Sequence, residues 1–218
     1  MSNASIQSQV AEFNQGFEAQ IGPVLATTFA QEQADLQSAG APDSVITAGA
    51  ELPDATLLTA DNQQVQLSEV LAGSPAVLVF YRGAWCPYCN ITLKTYQREL
   101  LPILIEQGVK LIAVSPQTPE GSEAAVQGAE LEFEVLSDTA NRFADALGIV
   151  TEPSADARNA HTELGFDVAD SNADGTARIP FPTVLLVDRS GIVQFVDVRT
   201  DYTSRTEVAE IIEAVDRL

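Results

Sequence analysis

The stretch Ala76-Val77-Leu78-Val79-Phe80-Tyr81-Arg82-Gly83-Ala84-Trp85-Cys86-Pro87-Tyr88-Cys89 decides how this chain is read. Its first six residues form an unbroken apolar run, the pattern of a strand buried on both faces. Gly83 allows a tight turn, and Pro87 suits the first turn of a helix, where its missing N–H costs nothing. A strand running into a helix start places Cys86 beside N–H groups that lack intrahelical partners and favour negative charge. Cys89 lies one turn on, on the same helix face, within reach of a small disulfide ring. The thiolate is the nucleophile in thiol chemistry, so a site that lowers thiol proton affinity is a candidate redox site. Arg82 can add a cation at short range, or it can be a surface arginine at a strand end. Trp85 is placed to cover one side of the thiol.

The remaining composition narrows the chemistry. The chain has 218 residues, enough for one well-cored domain plus an extension, and only two cysteines. A disulfide-stapled secreted domain would spread more cysteines along its length, and structural zinc needs partners that a lone histidine does not supply. Met1 to Ile6 shows neither a basic nor an apolar leader segment, and no apolar run approaches the ~20 residues of a membrane span. These features point to a cytoplasmic protein. Thirty-one acidic against 11 basic residues give a net charge of −20, which argues against nucleic acid or anionic membrane as partners. No phosphate loop, dinucleotide fingerprint or serine triad is present, so no cofactor and no metal is expected.

Outward from the motif, the periodicity predicts an α/β sandwich. Residues 1–45 read as a helical extension, with Ile6, Val10, Phe13, Phe17 and Ile21 in one apolar stripe. A second helix starts at Pro23 and stops before Gly40 and Pro42. The stripe fits packing on the main domain or on a second copy, so a homodimer is one expectation. From residue 46 to 218, short strands alternate with helices. They begin with a hairpin about Asp61-Asn62 and end with a hairpin about Arg189-Ser190-Gly191 and a helix carrying Val208, Ile211, Ile212 and Val215. Pro102 is expected to kink the helix that follows the motif. Residues 151–180 read as a short helix and a polar loop. Asp170 to Gly175 matches half of a calcium loop, but the closing acid falls on Phe181, so Asx turns are the better reading. His161 sits in a polar helix-like stretch and is expected at the surface.

Phe80 to Cys89 resembles the active-site segment of the peroxiredoxin-like branch of the AhpC/TSA family. Ala48-Gly49-Ala50-Glu51-Leu52-Pro53-Asp54 is similar to that family's opening motif, and Leu136-Ser137-Asp138 to its mid-domain strand end. Phe181-Pro182-Thr183, Leu186-Val187-Asp188, and Asp201-Tyr202 with Arg205 match later segments. The resemblance covers about residues 49–218. It implies a thioredoxin-like, peroxiredoxin-type three-layer sandwich with a central mixed sheet. It also implies thiol-dependent antioxidant or disulfide-reductase activity on a peroxide or a protein disulfide, recharged by an external thiol of thioredoxin or glutathione type.

The departures from the family bear on mechanism. Aligning Cys89 with the family's peroxidatic cysteine puts Arg82 where a proline is usual, Cys86 where a threonine is usual, and Pro182 in place of the pocket arginine. Pro182-Thr183 instead resembles the cis-proline segment of thioredoxins. The buried acid of thioredoxins falls on Phe80, and the Pro87-Tyr88 pair is that of glutaredoxins. Two role assignments stay open: Cys86 attacks and Cys89 resolves, or Cys89 attacks a peroxide and Cys86 resolves. Exposure favours the first, because a residue one turn into a helix is the more buried. Arg178 and Arg205 are further candidates for the thiol pocket, Arg205 the better by resemblance. A non-catalytic thioredoxin-fold adaptor, using its N-terminal helices to hold a partner, is the competing functional class.

Overall fold

The computed structural model describes residues 4–218; Met1, Ser2 and Asn3, at the start of the stretch read for a leader segment, lie outside the described residues. α1 (Ile6–Ala39) starts at Ser5, whose hydroxyl accepts from the Ser8 N–H, and is interrupted at Gly22 with φ 79° and ψ 166°. Pro23 follows immediately, so the segment is two helices joined at the step where the sequence predicted the second to begin. The chain continues through β1 (Thr56–Leu58), β2 (Gln64–Gln66), α2 (Leu67–Leu71), β3 (Ala76–Phe80) and α3 (Pro87–Thr95). After α3 come α4 (Leu101–Gln107), β4 (Lys110–Ser115), α5 (Pro119–Ala129), β5 (Glu134–Ser137) and α6 (Arg142–Ala146). The last part comprises β6 (Val150–Thr151), α7 (Ala155–Glu163), α8 (Val168–Ser171), β7 (Ile179–Pro180), β8 (Thr183–Val187), β9 (Val193–Val198) and α9 (Val208–Val215).

Seven strands form one mixed sheet in the order β2-β1-β5-β4-β3-β8-β9. β3 lies inside it, parallel to β4 and antiparallel to β8, and all five of its residues are buried. The strand's two-residue period divides it between two cores. Val77, Val79 and Tyr81 pack with Leu93, Leu104 and Ile211 on one face. Ala76, Leu78 and Phe80 pack with Leu67, Phe143 and Leu147 on the other. This is the expected three-layer α/β sandwich with a mixed sheet and an N-terminal helical extension. Among the described residues no helix is long and apolar enough to cross a membrane.

Pro102 acts as expected, with a local twist in how. Lacking an N–H, it cannot continue the helical ladder, and the preceding residues Tyr96–Leu100 widen into a π-turn in which the Leu101 N–H reaches the Tyr96 carbonyl. That turn aims the Tyr96 hydroxyl at the Thr206 carbonyl, 2.6 Å away, and so ties the helix after the motif to the segment before α9.

The start of the N-terminal stripe is covered by the chain itself. Ile6 and Val10 are fully buried in the core beneath α3, with Phe13 and Leu36 against its edge, and the Glu207 carboxylate accepts from the Ile6 and Gln7 N–H groups at 3.0 and 2.8 Å. Burying each such aliphatic side chain stabilises the docked position by about 1.5–3 kcal/mol, more than an exposed ion pair supplies. Ile6 and Val10 of the stripe that suggested a homodimer are thus used within one chain, while Phe13, Phe17 and Ile21 are half-buried. Ile21, just before the break, and Leu25 and Phe29 beyond it pack on Ala157 and Ala160 of α7.

Candidate active site

The loop from β3 to α3 is fixed by three hydrogen bonds before either sulfur is considered. The Ala84 N–H donates to Gln117 Oε1 at 2.7 Å, Asn90 Nδ2 donates to the Ala84 carbonyl at 2.9 Å, and the Cys86 N–H donates to the Gly83 carbonyl at 3.1 Å. Gly83 has φ 147°, and a Cβ there would lie 2.5 Å from Trp85 Nε1 and 2.9 Å from Gln117 Oε1. Gly83→Ala is therefore expected to push Trp85 off its seat and to destabilise the protein by about 1–3 kcal/mol. Chemical denaturation monitored by the single tryptophan checks this.

Cys86 caps the start of α3, Pro87 occupies its first turn, and Cys89 follows one turn later. Both thiols are free, and both residues are 1% exposed. One nitrogen joins them: Arg205 Nη2 lies 3.9 Å from Cys86 Sγ and 3.4 Å from Cys89 Sγ. The other arm of that buried guanidinium donates to the Tyr202 carbonyl and, at 2.6 Å, to the Ser204 carbonyl. Burial and its role as donor to Cys89 push the Cys86 thiol well above the usual range. Burial also acts against the Cys89 thiolate. The hydrogen bond from Cys86, the Arg205 charge and the Arg82 backbone N–H outweigh it and hold Cys89 below the ordinary thiol range. Within the pair these forces favour the proton on Cys86 and the negative charge on Cys89.

Arg82 is not a surface arginine. It is 4% exposed, its guanidinium stacked 4.2 Å from the Tyr202 ring centre and 4.9 Å from that of Trp85. Tyr88 donates its hydroxyl to Asn14 Oδ1 at 2.9 Å and meets the edge of Phe13, so the motif touches α1 directly. Between α1 and the motif lies a cavity of about 410 Å³, with Phe17 and Phe29 from α1 facing Arg82, Trp85, Cys86 and Pro87. Cys89 instead faces an inner void of about 10 Å³, room for a water at most, bordered by Pro182, Thr183 and Arg205.

Three expectations are corrected here. Among the described residues no peptide bond is cis, so Pro182 does not reproduce the cis-proline of thioredoxins. Trans is the favoured isomer, and the Phe181 N–H to Ile149 and Arg199 N–H to Pro182 bonds, 2.8 and 2.9 Å, hold the segment extended. Its neighbour Thr183 lies in β8 opposite Phe80, behind Cys89 and away from the large cavity. Arg178 does not reach the thiols; it pairs with Asp145 at 2.5 Å on the surface. His161 is not exposed. α1 covers α7, and the imidazole lies 4.8 Å from Phe166, 5.1 Å from Phe29 and 5.7 Å from Trp85 between ring centres. Burial, then the Arg82 charge, pull it down to about 4, so it is neutral at pH 7. The half calcium loop is a set of Asx turns, with Asp174 accepting from the Thr176 N–H at 3.0 Å and Asn172 donating to the Thr176 and Arg178 carbonyls.

Gln117, Tyr202, His161 and the α1 residues around the cavity were not marked as site residues by sequence alone. Tyr202 carried a signal in its resemblance segment, and Phe17 in its apolar stripe. Gln117 carried none.

A thioredoxin-type sandwich with two thiols at the strand-to-helix turn defines the class of protein. The AhpC/TSA family model matches residues 48–196, and the chain belongs to the AhpC/TSA family. Similar solved structures include reduced Prx3 from Vibrio vulnificus in complex with hydrogen peroxide, at 23% identity and TM-score 0.62, covering 78% of this chain and 99% of that one. Peroxidoxin BcpB from Mycobacterium tuberculosis aligns at 17% identity and TM-score 0.59, covering 78% and 95%. A peroxiredoxin-like protein from Aquifex aeolicus aligns at 17% identity and TM-score 0.61, covering 79% and 88%. At these identities the likeness shows the shared fold. A search of curated proteins finds no match.

Proposed function

We propose that the protein is a thiol peroxidase in which residues 46–218 form the redox unit and residues 1–45 wall its substrate chamber. The observation that carries this reading is the single guanidinium of Arg205 within reach of both sulfurs. A buried cation on a dithiol is costly unless it stabilises a sulfur anion, which an inert adaptor has no use for.

Cys86 is the attacking residue in this reading, because it alone of the two faces the 410 Å³ cavity. Its proton passes to the neighbouring Cys89 thiolate. The Cys86 thiolate then attacks the terminal peroxide oxygen, the O–O bond breaks, an S–O bond forms, and the departing alkoxide or hydroxide takes a proton from water. The Cys89 thiol next attacks the Cys86 sulfenic acid. The S–S bond forms, and the hydroxyl leaves with the Cys89 proton as water. An external thiol of thioredoxin or glutathione type restores the dithiol by two exchange steps. Arg82, Trp85, Pro87 and Tyr88 shape the Cys86 side of the site, and Pro182, Thr183 and Arg205 the Cys89 side. A peroxide fits this recessed site better than a protein disulfide does, since both cysteines are buried. A reducing compartment such as the cytoplasm suits the cycle.

Titrating the fully reduced protein with hydrogen peroxide tests the reading. Two thiols per chain are expected to disappear, with mass spectrometry locating one Cys86–Cys89 disulfide. Thiols that survive excess peroxide would return the protein to the adaptor class. The oxidation rate is expected to hold steady from the ordinary thiol range, about pH 8.5, down through neutrality, because Cys89 stays ionised there. A rate that falls about tenfold per pH unit from that range downward would show that no thiolate is stabilised.

A further inference from the structure

The chamber is far larger than hydrogen peroxide requires. Its roughly 410 Å³ compare with about 30 Å³ for one water in the liquid, and lie in the range of sites for small organic ligands. Phe17, Phe29, Trp85 and Phe166 line it, so the body of the ligand it fits is apolar. Among the described residues that line it, the cation is Arg82, with Asn14, Gln20 and Gln33 as neutral polar neighbours. This guanidinium is buried and stacked on two rings, and among the described residues its side chain has no ion pair and no hydrogen bond to the protein. A guanidinium that lines the chamber with no protein acceptor leaves its donors to whatever occupies that space, and a carboxylate is the planar anion that matches them.

The acids nearby do not fill that role. Glu32 is buried and gives one oxygen to the Ser154 N–H at 3.0 Å, while its other oxygen has no partner and forms no ion pair with Arg82. Glu18 stands exposed at the rim, where it disfavours an anion lodged at the mouth over one seated inward on Arg82. Neutral His161, without a protein partner, lines the same space.

We infer that this chamber takes an organic hydroperoxide that carries a carboxylate, with the carboxylate on Arg82 and the apolar body against the aromatic walls, presenting the peroxide to Cys86. The inference rests on the peroxidase reading. The reaction is the one already written: Cys86 takes the terminal oxygen, the alkoxide leaves as the alcohol of the same acid, and the external thiol supplies the electrons.

The experiment compares kcat/KM for hydrogen peroxide, cumene hydroperoxide, its para-carboxylate and the methyl ester of that carboxylate. The acid is expected to exceed its ester by about tenfold or more, the value of one charge-assisted hydrogen bond. Arg82→Met is expected to bring the acid-to-ester ratio to about one. Because the ratio is taken within each variant, any effect of Arg82 on the thiols cancels. Equal rates for acid and ester in the wild type, or a ratio unmoved by Arg82→Met, overturn the carboxylate seat while peroxidase activity stands. Failure to reduce any of the four peroxides overturns the underlying reading and this inference with it. If Arg82→Met does not fold, inhibition of wild-type hydrogen peroxide turnover decides. Inhibition by para-isopropylbenzoate and not by its methyl ester supports the seat, and equal inhibition by both, or by neither, removes it.

Discussion

Cys86→Ser is expected to abolish peroxide turnover, a loss on the order of a thousandfold or more, because among the described residues no other thiol faces the chamber. Cys89→Ser is expected to behave differently. Its Cys86 should still reduce one equivalent of peroxide and then accumulate as sulfenic acid, stalling the cycle unless an external thiol resolves it. The serine at position 89 cannot accept the Cys86 proton as a thiolate does, so that single turnover should also be slower at pH 7 than in the wild type. The measurement is sulfenic-acid trapping on each variant after one equivalent of peroxide, alongside steady-state turnover. The opposite pattern, with sulfenic acid formed on Cys89 in Cys86→Ser, is what the lower proton affinity of Cys89 alone would favour. It would assign attack to the buried sulfur and make the small inner void the peroxide site.

The features legible in the sequence were those set by local rules. The run from Ala76 to Tyr81, the glycine turn and Pro87 each constrain their own neighbours, and together they dictated a buried strand entering a helix that starts at Cys86. Pro23 likewise announced the second helix of α1, and Pro102 the irregular turn before it. Arg205 was reached through resemblance of its segment and not through any spacing. What the sequence could not show depends on contacts between distant segments. His161 belongs to a stretch polar enough to read as surface, and is buried only because Phe29 and its neighbours, some 130 positions earlier, lie across α7. Arg82 read equally well as exposed, since nothing local announces that Tyr202 stacks on it. Pro182 carried a thioredoxin-like pattern, yet its isomer is set by strand bonds to residues 149 and 199. The chamber is invisible in the motif because half of its wall comes from α1, outside the matched family segment.

Arg205→Met is expected to have the second large effect, and it separates electrostatic stabilisation of the thiol pair from mere packing. The guanidinium does two things at once: Nη2 meets both sulfurs, and Nη1 ties the Tyr202 and Ser204 carbonyls that lead into α9. Removing the charge deletes a principal force holding Cys89 ionised, while the opposing burial remains, so the Cys89 thiol must move up toward and beyond the ordinary range. Peroxide turnover at pH 7 should then fall on the order of a hundredfold to a thousandfold, comparable to losing one oriented donor in a closed active site. Orphaning the buried carbonyls should also lower stability by about 1–3 kcal/mol. Arg205→Lys is expected to recover only part of the rate, because one ammonium does not span two sulfurs and two carbonyls as a planar fork does. The deciding readout is the thiolate titration of the reduced protein. If Arg205→Met loses stability but keeps the wild-type thiolate titration, the guanidinium is a structural tie for the segment before α9, and the sulfur anion is stabilised by the α3 N-terminus and Arg82 instead.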